Sequence, residues 1–136
     1  MSVPFSPGAP TLIVPVTVIG PGEGYTFRCA LDTGSTRTVL PTRAMRRLGF
    51  DLTRPVGRAR LRAATGVAVA PLVRVPAITA VDRVRPDFTV AVHELPLGVE
   101  ADGLLGLDFL RGLVLTIDFA RGRIALARPS WWRFWN

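Results

Sequence analysis

Glycine and proline punctuate this chain every few residues, with 13 of the first and 12 of the second. Between them lie short runs rich in valine, threonine and isoleucine. Proline lacks the backbone donor and glycine weakens regular elements, while β-branched side chains suit a pleated surface. The combination predicts an all-β domain of many short strands joined by tight turns. At 136 residues and 49% apolar the chain is one domain's worth, able to bury a core and too apolar for disorder.

The pattern can be followed element by element. Residues 1–10 are rich in Pro, Gly and Ser and predict a flexible lead-in. Leu12 to Ile19 is a β-branched run, with Pro15 marking an edge or a bulge. A turn at Gly20 to Gly24 follows. Tyr25, Phe27, Cys29 and Leu31 then alternate onto one strand face. That hairpin delivers Asp32 into a turn. Thr38 to Leu40 is a short buried strand, and Pro41 can open a helix-like stretch over Thr42 to Leu48 that Gly49 ends. Arg58 to Ala64 and Val67 to Pro76 form the arms of a hairpin with a small-residue tip, Ala64-Thr65-Gly66. Phe88 to His93 is a strand, Gly106 to Arg111 one short helix, and Leu113 to Asp118 and Arg123 to Ala127 a closing strand pair. The tail over 128–136 holds all three tryptophans, an aromatic surface suited to packing on this chain or a partner.

Composition narrows the function classes. The formal charge is +7, and every basic residue is arginine. The arginines are scattered without interleaved aromatics, which argues against nucleic acid as a partner. The tightest cluster is Arg54, Arg58, Arg60 and Arg62, whose alternate members share one exposed strand face. A single cysteine, Cys29, excludes an internal disulfide and reads as a buried structural thiol. With His93 the only histidine, no zinc site assembles, and His93 itself reads as a polar residue at a strand end. No stretch approaches the ~20 apolar residues of a membrane span, and the N-terminus lacks a secretory pattern, so a cytoplasmic location is expected.

Two segments carry the chemistry. The first is Cys29-Ala30-Leu31-Asp32-Thr33-Gly34-Ser35-Thr36, an apolar strand ending in an acid and a small tight turn. The second is Ala101-Asp102-Gly103-Leu104-Leu105-Gly106-Leu107-Asp108-Phe109-Leu110. Leu31 should pack beneath Asp32. Thr33 and Gly34 are small enough to admit a second loop, and the Gly34 and Ser35 N–H groups are placed to hold the carboxylate. Asp102 and Asp108 read as loop and helix-cap acids rather than partners of Asp32, and Asp118 reads as a turn acid.

Together these segments resemble the retropepsin-like aspartic proteases over roughly residues 11–127. Ala30 to Ser35 matches the apolar-apolar-Asp-Thr-Gly-Ser/Ala element, and Leu104-Leu105-Gly106 matches the apolar-apolar-Gly element that precedes a helix. Leu104 to Leu110 followed by Thr116-Ile117-Asp118 is closer to the cellular and bacterial branch, including DNA-damage-inducible proteins, than to the viral one. The resemblance implies a closed β-barrel lobe with a flap hairpin and one short helix, acting as a homodimer on a polypeptide substrate without metal or organic cofactor. It implies Asp32 as the catalytic acid, one from each copy, with Thr33 interlocking the two loops. It also implies that Ala64, Thr65 and Gly66 form the tip of a substrate-covering flap. The ion pair that ties viral dimers is missing, because Leu107 and Thr36 stand at its two positions.

The chemistry explains the need for two copies. Two carboxyls about 3 Å apart cannot both ionise and therefore share a proton. The ionised member takes a proton from water, and the protonated member polarises the scissile carbonyl. The sequence predicts an aspartic endopeptidase on this basis. A catalytically silent dimerisation or peptide-binding module on the same fold is the alternative. A basic nucleic-acid-binding β-domain is a third reading, which would require a clustered arginine face.

Overall fold

The computed structural model describes residues 2–63, 66–96 and 98–131. Its elements in chain order are β1 (Ser2–Pro4), β2 (Ile13–Ile19), β3 (Gly24–Leu31), β4 (Val39–Leu40), α1 (Thr42–Arg47), β5 (Gly57–Ala63) and β6 (Gly66–Ala80). They continue with β7 (Arg83–Val92), β8 (Gly103–Leu105), α2 (Leu107–Leu110), β9 (Val114–Asp118) and β10 (Arg123–Ala127). Strands dominate, as the punctuation predicts. Both helical stretches form, and each is short.

Six strands close into a barrel in the order β2-β3-β8-β4-β7-β6, with β6 returning to pair with β2. Alternation along β2 sends Val14, Val16 and Val18 fully inward. They meet Phe27, Leu40, Met45, Ile78, Leu105 and Phe109 in one continuous core. Pro15 was expected at an edge or bulge. It lies opposite Arg28 in the part of β2 that the β6 pairing, which begins at Val16, does not reach, so it stands at a local edge, and the β2–β3 register runs through it without a bulge. A missing N–H is harmless at a position with only one bonded neighbour.

A separate three-stranded sheet in the order β1-β10-β9 covers one end of the barrel. The lead-in expected to be flexible is partly tied down here, because Ser2, Val3 and Pro4 pair with Ala125, Ile124 and Arg123. Phe5 N–H donates to the Gly122 carbonyl, and the Phe5 and Phe119 rings meet edge to face at 5.7 Å. Ring contact and main-chain pairing offset the ordering cost that Pro-rich composition alone leaves unopposed.

Strand β6 is long and serves two sheets of contacts. Its second half pairs with β7 and β2, while residues 66–72 pair with β5 alone or at the junction with β7. The β5–β6 hairpin therefore extends beyond the barrel as a two-stranded ribbon. The arms agree with the sequence expectation. Of the expected tip Ala64-Thr65-Gly66, Gly66 opens β6 opposite Ala63, while Ala64 and Thr65 lie outside the described residues, as do the last residues of the tryptophan-bearing tail beyond Trp131.

Candidate active site

The barrel's strand order sets up the site. Chain leaves β3 at Leu31, turns through Asp32 to Arg37, and re-enters as β4 on the far side of β8. Strand β8 is thus inserted between them. It runs parallel to β3 with Cys29, Ala30 and Leu31 opposite Gly103, Leu104 and Leu105, and antiparallel to β4 with Val39 opposite Leu104. A three-residue strand buried between two neighbours needs an apolar sequence and close approach. Gly103 supplies the approach, since a Cβ there would collide with the Val39 carbonyl oxygen and crowd Leu40 and the Cys29 Sγ.

The two sequence segments meet immediately above this insertion. Asp32 N–H donates to the Leu105 carbonyl at 3.0 Å, and Leu107 N–H donates to the Ser35 carbonyl at 2.8 Å. Asp108 N–H donates to the Thr36 carbonyl at 3.2 Å. Gly106 sits where these strands of chain cross. A Cβ at that position would lie 2.5 Å from both the carbonyl carbon and oxygen of Arg37 and 2.8 Å from the Ser35 oxygen. Only glycine fits without moving the loop.

Within the loop, Asp32 is half-buried and its Oδ1 accepts the Gly34 N–H at 2.9 Å. The Ser35 N–H, expected on the same carboxylate, goes instead to the Asp32 main-chain carbonyl at 3.1 Å. It closes a turn, so one backbone donor rather than two holds the acid. The Ser35 hydroxyl donates to the Arg37 carbonyl at 2.7 Å. Leu31 packs on the core below, as expected. Thr33 and Gly34 are exposed at the apex.

The main support of the loop went unnoticed in the sequence. Thr38 is the one fully buried polar side chain among the described residues. Its hydroxyl donates to Asp108 Oδ1 at 2.7 Å and accepts the Gly106 N–H at 3.2 Å. Its own N–H donates to both Asp108 oxygens at 2.9 Å. Asp108 also accepts the Phe109 N–H at 2.8 Å from within the first turn of α2, whose N-cap position is Gly106. At the other end of α2, the Arg85 guanidinium donates to the Phe109 carbonyl at 2.7 Å and to the Arg111 carbonyl at 2.6 Å. The signal for Thr38 was a polar residue heading an apolar pair. Arg85 carried none.

Asp102 lies apart from Asp32, accepting the Arg28 N–H at 2.9 Å on the exposed start of β8. Asp118 accepts the Arg121 N–H at 2.9 Å in the β9–β10 turn. His93 ends β7, with its N–H on the Leu40 carbonyl and its Nδ1 2.7 Å from the Glu94 carbonyl. Burial, and then the Asp102 charge, push the Cys29 thiol up to about 12, so it is protonated and inert.

A cleft of about 810 Å³ opens beside the loop. Gly34 to Arg37 form one wall, β5 and the start of β6 the opposite wall, and Val39 and Leu104 lie between. Leu105 and Gly106 sit behind this surface in the core and the loop crossing. Asp32 does not itself line the cleft; its loop neighbours Gly34 and Ser35 do.

Residues 14–109 match the family model described as aspartyl protease. The chain belongs to the aspartyl protease family. Its fold is similar to that of a retropepsin-like aspartic protease from Rickettsia conorii, with a TM-score of 0.67 and 19% identity over 93% of this chain and 88% of that one. It is also similar to the retroviral protease-like domain of Ddi1 from Leishmania major, with a TM-score of 0.55 and 16% identity over 90% of this chain and 98% of that one. No curated protein matches the sequence. The fold is therefore retropepsin-like: a closed barrel with the Asp-Thr-Gly loop and the Leu-Leu-Gly strand side by side. No helix among the described residues is long and apolar enough to cross a membrane.

Proposed function

We propose that this protein is an aspartic endopeptidase in which Asp32 from each of two copies forms the catalytic dyad. The observation that carries this reading is the placement of Asp32. It is half-buried, held by the Gly34 N–H, and followed by an exposed Thr33-Gly34 turn whose Gly34 and Ser35 line the cleft. Membership of the aspartyl protease family supports it. Among the described residues no second carboxylate shares that position, since Asp102 and Asp108 are each committed to backbone donors elsewhere. A second copy brought apex to apex supplies the missing acid.

In such a dimer the ionised aspartate removes a proton from water as oxygen attacks the scissile carbonyl. The protonated partner donates to the carbonyl oxygen, and the resulting tetrahedral species collapses with proton transfer to the leaving nitrogen. Thr33, exposed beside Asp32, hydrogen-bonds across to the opposite loop. The β5–β6 ribbon acts as the flap over an extended substrate. The dimer is held without the viral ion pair. Here Leu107 and Thr36 instead tie the loop to α2 through main-chain bonds within one chain.

The test is mass spectrometry of a denatured-proteome peptide mixture incubated at about pH 5, where a shared-proton dyad is active, with wild type beside Asp32→Asn. Products made only by wild type are expected. Absence of products at high protein concentration, where a dimer is favoured, would leave the silent peptide-binding module as the function.

A further inference from the structure

The cleft carries a charge pattern that the dyad chemistry does not use. Arg37 borders it on the loop side, and Arg58, Arg60 and Arg62 border it on the ribbon side. Against these four cations stands one acid, Glu94, whose carboxylate already accepts the Arg43 N–H at 3.2 Å. The ion pairs among the described residues, Arg74 with Asp87 and Arg121 with Asp118, lie elsewhere. The ribbon gives its arginines no neutralising partner. Arg60 faces Val69 and Arg62 faces Val67 across the strands, and those valines are 61% and 60% exposed. A cross-strand position is where an acid would sit if these charges served stability alone.

Strand geometry gives the pattern a period. β5 ends the sheet order, so one of its edges has no strand partner. Alternation puts Arg58, Arg60 and Arg62 on the exposed face and Ala59 and Leu61 on the half-buried face that packs toward Val39, Leu95 and Leu104. An extended chain laid along that edge alternates in the same way. Among the described residues no Phe, Tyr or Trp borders the cleft, so these offer no stacking platform for bases.

Resting on the peptidase reading, we infer that the free edge of β5, where it borders the cleft, selects extended polypeptides with acidic side chains at alternate positions and small apolar residues between them. The selectivity comes from Arg58, Arg60 and Arg62 on the exposed face of that strand. Two or three exposed charge pairs together raise affinity about tenfold over a neutral peptide, and salt screens most of the gain.

The test uses three fluorescein-labelled ten-residue peptides: glutamate alternating with alanine, the same composition with the glutamates adjacent, and glutamine alternating with alanine. Binding to the full-length Asp32→Asn protein is followed by anisotropy at low and high salt, and cleavage by wild type is followed by mass spectrometry. The alternating glutamate peptide should bind about tenfold tighter than its glutamine counterpart, and tighter than the adjacent arrangement. The Arg58→Gln/Arg60→Gln/Arg62→Gln protein should lose that ratio, and Arg47→Gln on the surface of α1 should keep it. Equal binding of the three peptides, or a ratio that survives the triple substitution, overturns the inference. So does tighter binding of a single-stranded oligonucleotide through the same arginines. Cleavage without acidic preference removes the inference and leaves the peptidase reading standing. Acidic preference without cleavage of any peptide removes the peptidase reading and leaves the charge selectivity.

Discussion

Replacing Thr38 with valine keeps the shape of a fully buried side chain and deletes its hydroxyl. Two hydrogen bonds vanish. One is the 2.7 Å donation to the Asp108 carboxylate, which as a charge-assisted bond contributes about 1.5–3 kcal/mol. The other is the 3.2 Å acceptance from the Gly106 N–H, a buried donor. Stranding such a donor costs about 1–3 kcal/mol. Asp108 keeps the Thr38 and Phe109 N–H groups and therefore stays in place. The expected loss is roughly 3–5 kcal/mol, a large part of a domain's total stability.

Thr38→Ser is the comparison that isolates the cause. Serine keeps the hydroxyl and gives up one buried methyl, worth about 1 kcal/mol. Urea unfolding at equal protein concentration separates the two, because dimer formation would otherwise add its own term. The valine protein should unfold about 2 M earlier than wild type and the serine protein less than 1 M earlier. Peptide cleavage adds a functional readout. The loop that presents Asp32 rests on this bond, so Thr38→Val should lower kcat more than it raises KM. A serine protein less stable than the valine protein would refute the reasoning, since packing and not the hydroxyl would then hold the loop.

Further perturbations probe neighbouring parts of the same argument. Gly106→Ala forces a methyl against the Arg37 carbonyl and the Ser35 oxygen, so it should cost at least about 3 kcal/mol and abolish cleavage together. Asp32→Asn should eliminate cleavage yet leave thermal stability unchanged, because the amide oxygen can still accept the Gly34 N–H; loss of fold would show the acid to be structural. Activity should be bell-shaped in pH and best on the acid side, since only the singly protonated pair works; a flat rate from about pH 4 to 8 contradicts the dyad. Cys29 should resist thiol reagents until the protein unfolds. Its folded value of about 12 lies above the ordinary 9.0, so the folded state holds the proton longer and stability falls as pH rises through that window. The slope is at most about 1.4 kcal/mol per pH unit, and Cys29→Ala should remove it in an alkaline unfolding series.

The strands were legible because their signals are local. Val14, Val16 and Val18 alternate inward as the pattern requires, and β10 occupies Arg123 to Ala127 as expected. The apolar-apolar-Gly element was recognised only as a motif, and its existence as strand β8 was not. Three residues are too few to show a period, and their β character comes from neighbours on both sides: Ala30 and Val39 each pair with Leu104. Distance in sequence hid the Thr38–Asp108 network for the same reason. The bonds span 70 residues, and only insertion of β8 between β3 and β4 brings their ends together. A threonine and an aspartate carry no mark of that meeting on their own. What does carry a mark is glycine: Gly103 and Gly106 are both small where backbone crosses backbone. Composition told that glycines were needed, and topology tells which oxygen each one makes room for. The same logic orders the site by its dependence on the fold. Asp32 could be named from its tripeptide, whereas the geometry that holds its loop beside the cleft belongs to Leu105, Gly106 and Thr38, and a chain keeping the first while losing the others would hold the acid without its setting.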